Sequence, residues 1–219
     1  MPTHFLALPL THTPRVASQL AETLPSPWNT CPPEVPRKAL RPIGTLHLTL
    51  GVLHLENDEQ FERAKRWLEE ELNVKELLGW AGEAARLRRG EVKGDQKADV
   101  ASIEPLVINL RSLKPMKERL KTFAQSLRDA AVESGTMREE HDPKRRKVLL
   151  HATVVNTRHS SPGIREKRYD FTSTIEQCRE TEWAANVPID GVALCKMGAR
   201  PTENGDAEYT VVAWRELAA

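Results

Sequence analysis

Residues 45–55 read Thr45-Leu46-His47-Leu48-Thr49-Leu50-Gly51-Val52-Leu53-His54-Leu55. Leu46, Leu48, Leu50 and Val52 recur at period two, the repeat of a strand with one buried face. The other face carries His47, Thr49 and Gly51, so an imidazole and a hydroxyl two positions apart project to the same side. Residues 148–157 repeat the layout: Val148-Leu149-Leu150-His151-Ala152-Thr153-Val154-Val155-Asn156-Thr157 reads as an alternating strand with His151 and Thr153 on one face.

Around these two strands the chain falls into matching halves. His4 to Leu10 is a short apolar run closed by Pro9 and Thr11 and reads as a strand. A helix is expected from Pro14 to Leu24. Residues 25–42 hold Pro25, Pro27, Pro32, Pro33, Pro36 and Pro42, which remove backbone donors and leave a loop. Phe61, Ala64, Leu68 and Leu72 recur at helical spacing behind acidic residues and before Gly79, predicting one amphipathic helix from Asp58 to about Leu78.

The second half repeats strand and helix. Leu106 to Leu110 is rich in β-branched and aliphatic residues, and Pro115 suits the first turn of a helix whose stripe is Met116, Leu120, Phe123, Leu127 and Ala131, ending near Ser134-Gly135. Phe171 to Arg179 reads as a short helix, and Val192 to Met197 with Tyr209 to Trp214 as a strand pair around a Pro201 to Gly205 turn. Residues 79–97 mix Gly, Arg and Lys without periodicity, as an irregular insertion, an edge strand, or both.

Composition narrows the classes of function. The chain has 219 residues, 39% hydrophobic and 29% charged, with no apolar run long enough for a membrane span, so a soluble protein is expected. A net charge of +1 provides no whole-molecule attraction for nucleic acid. Two local basic patches stand out, Arg86, Arg88, Arg89, Lys93 and Lys97, and Lys144 to Lys147. Neither is interleaved with aromatics, and both read first as solvated loops. Cys31, Cys178 and Cys195 form no C-x-x-C pair and no even set, which points away from zinc and disulfides. No secretory leader is recognisable at the first residues, and a cytoplasmic or nuclear protein is expected.

The two H-x-T triplets carry the chemistry. Cleaving a phosphodiester needs a base for the attacking oxygen and an acid for the leaving oxygen, and two imidazoles serve both ends near neutral pH. The threonine hydroxyls donate to the non-bridging oxygens, where charge is held through the transition state. Neither H-E-x-x-H nor a clustered Cys set is present, so no metal and no cofactor is expected. One H-x-T alone is most often a histidine beside a β-favouring threonine; two copies in matching places are harder to explain that way.

Leu46-His47-Leu48-Thr49-Leu50-Gly51-Val52-Leu53 and Leu150-His151-Ala152-Thr153-Val154-Val155-Asn156-Thr157 resemble the signature strands of the two-histidine (2H) phosphoesterase superfamily. Phe5-Leu6-Ala7-Leu8-Pro9-Leu10 and the Asn156-Thr157 ending resemble the branch shared by A-kinase anchor protein seven and activating signal cointegrator complex subunit one. The resemblance covers nearly the whole chain. It implies an α+β fold of two lobes, with pseudo-symmetric antiparallel sheets flanked by helices around a central cleft, as one phosphoesterase domain over residues 1–219 with one H-x-T strand from each lobe.

It also implies a metal-independent phosphodiesterase acting on RNA, 2′,5′-linked oligonucleotides or cyclic nucleotide phosphates, with His47, Thr49, His151 and Thr153 as the catalytic set. Which histidine is the base stays open. The direct passage from strand to helix between Leu110 and Met116 departs from the family pattern, so one sheet is expected to be short or to borrow from residues 84–93. Phe5 and Arg158 are candidate substrate-binding residues, the first to stack on a base and the second to steady a phosphate; each also has a plain alternative, as a core phenylalanine and an exposed strand-end arginine. His4, His12, His54, His141 and His159, and Trp67, Trp80, Trp183 and Trp214, read as packing residues. The rival reading is a nucleotide- or RNA-binding module of a larger complex with little turnover, and a third is an interaction protein using the basic loops. RNA or nucleotide is the expected partner, with protein partners possible in such a complex, no membrane, and a monomeric chain.

Overall fold

The computed structural model describes residues 1–24, 31, 33, 35, 37–78, 85–87, 106–108, 114–139, 147–156, 169–180 and 183–217. In chain order its elements are β1 (His4–Pro9), α1 (Pro14–Thr23), β2 (His47–Leu53), α2 (Asp58–Arg66), α3 (Val74–Leu78), β3 (Ala85–Leu87), β4 (Leu106–Ile108), α4 (Lys114–Glu133), β5 (Ala152–Val155), α5 (Thr172–Glu180), β6 (Ala184–Val187), β7 (Gly191–Pro201) and β8 (Ala207–Glu216). Short 3-10 turns at Arg37–Ala39 and Ile43–Thr45 lead into β2.

One sheet has four strands in the order β2-β1-β7-β8, every pair antiparallel. Two antiparallel ladders, β3-β6 and β4-β5, form the rest. Residues 85–87 of the segment from which a strand was expected to be borrowed therefore pair with β6, a strand that the sequence pattern did not reveal. Leu6, Leu8, Leu48, Leu50 and Leu194 are all buried on one face of the four-stranded sheet, in a core shared with Ala64 and Leu68, with Leu120, Phe123 and Leu127 of α4, and with Val154. Burying each such side chain contributes about 1.5–3 kcal/mol.

The alternation expected through β2 breaks at its middle. Leu6 faces Gly51 and Ala7 faces Thr49, so Leu50 has no partner of its own and a bulge forms. Beyond it the pleat reverses. Val52, expected in the core, pairs with Phe5 and is 43% exposed, while Leu53 is 0% exposed. Leu50 itself remains buried, so the bulge keeps two leucines inside and turns Val52 to the face that carries His47 and Thr49.

The single helix expected over residues 58–78 is interrupted. Its start is as read: the Asn57 side chain accepts the Gln60 N–H at 2.9 Å, and Asp58 and Glu59 lie in the positive first turn. At Trp67–Glu71 the helix widens to a π-turn, closed by the Leu72 N–H on the Trp67 carbonyl, and Leu72 is extended. Arg215 of β8 donates to the carbonyls of Glu69 and Leu72, satisfying acceptors that a continuing helix would have used. α4 stops where expected, with Gly135 in the left-handed region at φ 69°.

β5 is shorter than the strand expected over residues 148–157: His151 precedes it, and Leu149 is exposed. Its partners set its length. β4 pairs with it over three residues, and on the other side the chain at 39–41 offers one bridge, Leu40 to Val155, flanked by Arg41 N–H to Val154 O and Asn156 N–H to Ala39 O. That second contact also orders the end of the proline-rich segment.

Candidate active site

β2 begins where two constraints meet. The Thr45 hydroxyl donates to the Pro42 carbonyl at 2.6 Å and closes the 3-10 turn. The Gly44 N–H donates to the Asp206 carboxylate at 2.9 Å, bringing the turn against β8 so closely that a Cβ at Gly44 would lie 2.7 Å from the Ala207 carbonyl oxygen. The start of β2 is thereby fixed to the hairpin.

From that anchor His47 projects on the face opposite the leucines. Its Nδ1 lies 2.7 Å from the Thr45 carbonyl oxygen, which can only accept, so Nδ1 carries the proton. In the neutral ring Nε2 then holds the lone pair, and it receives the Thr49 hydroxyl at 3.0 Å. The i and i+2 spacing of the triplet brings these two groups together directly. His151 repeats the device, its Nδ1 donating to the Leu149 carbonyl at 2.8 Å. Each histidine is thus oriented by the carbonyl two residues before it.

β2 packs against β5, which brings the two triplets to one region. The His47 pKa is lowered from the usual 6.5, first by burial, then by the charges of Arg41 and His151, against the opposing pull of the Thr45 carbonyl. Neutral imidazole is therefore favoured at His47.

Aromatic rings wall this half of the cleft. Phe5 lies 4.9 Å from His47 and 4.8 Å from Tyr209, and Tyr209 meets His47 edge-on at 5.3 Å. Phe5 is only 3% exposed and packs against the imidazole, as in the core-phenylalanine alternative to its candidate stacking role. Cys195 shares this apolar cluster, and burial pushes its thiol up to about 12, which leaves it inert. Arg158, His141, His159, Trp80 and residues 144–146 lie outside the described residues.

Two residues here were not singled out from the sequence. The Arg41 guanidinium donates to the Tyr209 hydroxyl at 2.6 Å, with its Cζ 6.0 Å from that ring's centroid. Neither residue belongs to a local motif; they meet only because the segment before β2 and the final hairpin converge.

The remaining described histidines are His4, His12 and His54, of which His4 is buried and His12 is exposed. His4 is buried on the other face of the sheet, 5.4 Å from the Phe61 ring, where it lines a recess of about 300 Å³ with Asn57, Asp58 and Lys196. His12 stacks on Trp214 at 4.4 Å. His54 is half-buried. Among the described residues no group of three or more His, Cys, Asp or Glu side chains is placed to hold a metal ion, and no helix is long and apolar enough to cross a membrane.

Two H-x-T segments, one in a four-stranded antiparallel sheet and one leading into a strand that packs on it, define the two-histidine phosphoesterase class. The family model of the AKAP7 2'5' RNA ligase-like domain matches residues 2–214, and the chain belongs to that family. Among solved structures, E. coli LigT complexed with 3'-AMP is similar at TM-score 0.52 and 17% identity, with 100% of this chain and 99% of that chain covered. A crystal structure described as a phosphoesterase is similar at TM-score 0.51 and 16% identity over 100% of both chains. These likenesses show a shared α+β fold. No curated protein matches the chain in sequence. Family membership makes phosphodiester chemistry the general activity of this class.

Proposed function

We propose that the chain, working as one two-lobed domain over residues 1–219, is a metal-independent phosphodiesterase acting on RNA, 2′,5′-linked oligonucleotides or cyclic nucleotide phosphates. The observation that carries this reading is the matched orientation of His47 and His151, each with Nδ1 held by its own backbone, which makes Nε2 the nitrogen for chemistry once Thr49 turns from His47 to the ligand. The LigT structure bound to 3'-AMP supports a nucleotide as the ligand class.

In this mechanism His47 is the base and His151 the acid. His47 is the neutral partner because burial and the Arg41 charge disfavour its protonation. Its Nε2 takes the proton from the attacking oxygen, a water or a ribose 2′-hydroxyl; that oxygen bonds to phosphorus as the opposite P–O bond breaks, and the His151 proton goes to the departing oxygen. Thr49 and Thr153 donate hydroxyls to the non-bridging oxygens; for Thr49 this means turning from His47 to the phosphate as the ligand arrives.

The test is a panel of 2′,5′- and 3′,5′-linked oligonucleotides and 2′,3′-cyclic nucleotides, incubated with EDTA and followed by chromatography. Turnover of at least one class that survives the chelator is expected. Binding of nucleotide with no product over hours would replace the enzyme with a binding module.

A further inference from the structure

Arg41 joins the two halves of the site. Its backbone N–H donates to the Val154 carbonyl of β5 at 2.8 Å, beside the second triplet. Its side chain reaches the opposite way to Tyr209 on β8, whose ring stands 5.3 Å from His47. Its charge is felt at His47.

The bonding of this guanidinium is incomplete. It carries five N–H donors, yet among the described residues its side chain is hydrogen-bonded to a phenol hydroxyl. Among the described residues no carboxylate lies within ion-pairing distance of it. A half-buried cation whose charge is felt by an imidazole is an unfavourable arrangement unless an anion completes it. A planar fork with spare donors suits a phosphate, which it binds through two parallel N–H···O bonds.

We propose that Arg41 is the anion-binding residue of this site, its guanidinium held over the cleft by the Tyr209 hydroxyl and receiving a phosphate oxygen of the ligand on which His47 and His151 act. The proposal rests on the phosphodiesterase reading and adds a residue that lies on neither triplet. Tyr209 is a positioning residue, braced edge-on by Phe5 and His47 so that its hydroxyl meets Arg41.

Calorimetric titration of the full chain with 3′-AMP and with inorganic phosphate tests it. Arg41→Gln should weaken both about tenfold or more, as loss of a charge-assisted fork implies, with the melting temperature little changed. Arg41→Lys, which keeps the charge, should recover part of the loss, and Tyr209→Phe should weaken binding by a smaller factor. An Arg41→Gln protein that binds both probes within twofold of wild type overturns the proposal. So does one that melts early while its folded fraction binds normally, because Arg41 would then only hold the lobes. If Arg41→Gln does not fold, Arg41→Lys and Tyr209→Phe decide: wild-type affinity in both rejects the assignment. Absence of binding to either probe by the wild-type chain would instead reject the nucleotide reading of the whole site.

Discussion

The two H-x-T halves carry the same groups on unequal supports. His47 begins a seven-residue strand in a four-stranded sheet, part-buried beside Phe5 and Tyr209. His151 stands just ahead of a four-residue strand held by a short ladder and one bridge, and remains partly exposed. With Nδ1 oriented alike in both, the surroundings act on one ring: burial and then the Arg41 charge bias His47 toward the neutral form.

Removing either histidine is the most severe way to test that division. His47→Ala and His151→Ala should each lower kcat on the order of 10²–10⁴-fold, and the double variant should cost little more than the worse single one, because acid and base act in one step. Steady-state kinetics on the substrate found in the panel reads this out. Near-normal turnover in either variant ends the two-histidine mechanism.

Much of this arrangement is legible in the sequence because it is local. Period-two alternation exposes His47 with Thr49 and His151 with Thr153, and helical spacing finds the stripe of Leu120, Phe123, Leu127 and Ala131. What escapes depends on residues far along the chain. The π-turn after α2 is tied to Arg215, whose guanidinium takes the carbonyls of Glu69 and Leu72. The length of β5 depends on what Ala39 to Arg41 offer it, and Arg41 meets Tyr209 only once both lobes are folded. β6, at four residues, is too short for its alternation to stand out.

The anchoring of β2 is a second point at which the halves differ. Gly44→Ala drives a methyl to within 2.7 Å of the Ala207 backbone oxygen, where no side chain can swing away. A loss of about 1–3 kcal/mol is expected, as for other overpacked sites, read as a shift in the urea midpoint. Since the turn sets the entry to β2, activity of the folded fraction should fall as well. A variant as stable and active as wild type would mean that the turn does not fix His47.

The difference in environment also has a pH signature. His47 titrates below the free value of 6.5, so the acid limb of kcat/KM, where the base becomes protonated, should fall below pH 6.5. Burial lowers the pKa of this ring most, the Thr45 carbonyl raises it, and the charges of Arg41 and His151 lower it further; Tyr209, Phe5 and Thr49 also contact it. Arg41→Gln removes a repelling positive charge, so protonated His47 becomes easier to form and the limb moves toward higher pH. A limb that stays in place, or moves to lower pH, would separate it from His47 and reopen the assignment of base and acid.

The smallest expected effect isolates the bulge that puts β2 in register with its site. Uninterrupted alternation would bury Val52 with Leu48 and Leu50, and a hydroxyl in its place would then lack a partner and cost about 1–3 kcal/mol. In the observed register Val52 lies opposite Phe5 on the cleft side, 43% exposed, and Leu53 takes the core position. Val52→Thr should therefore change unfolding free energy by no more than about 0.5 kcal/mol, while Leu53→Ala costs about 2–5 kcal/mol. Denaturant titration of the two variants reads the register directly: a costly Val52→Thr with a mild Leu53→Ala would restore the unbroken pleat. The bulge matters to the chemistry because Leu50 takes up the extra residue between Thr49 and Gly51, letting β2 bury leucines on either side of the break while His47 and Thr49 keep the cleft face.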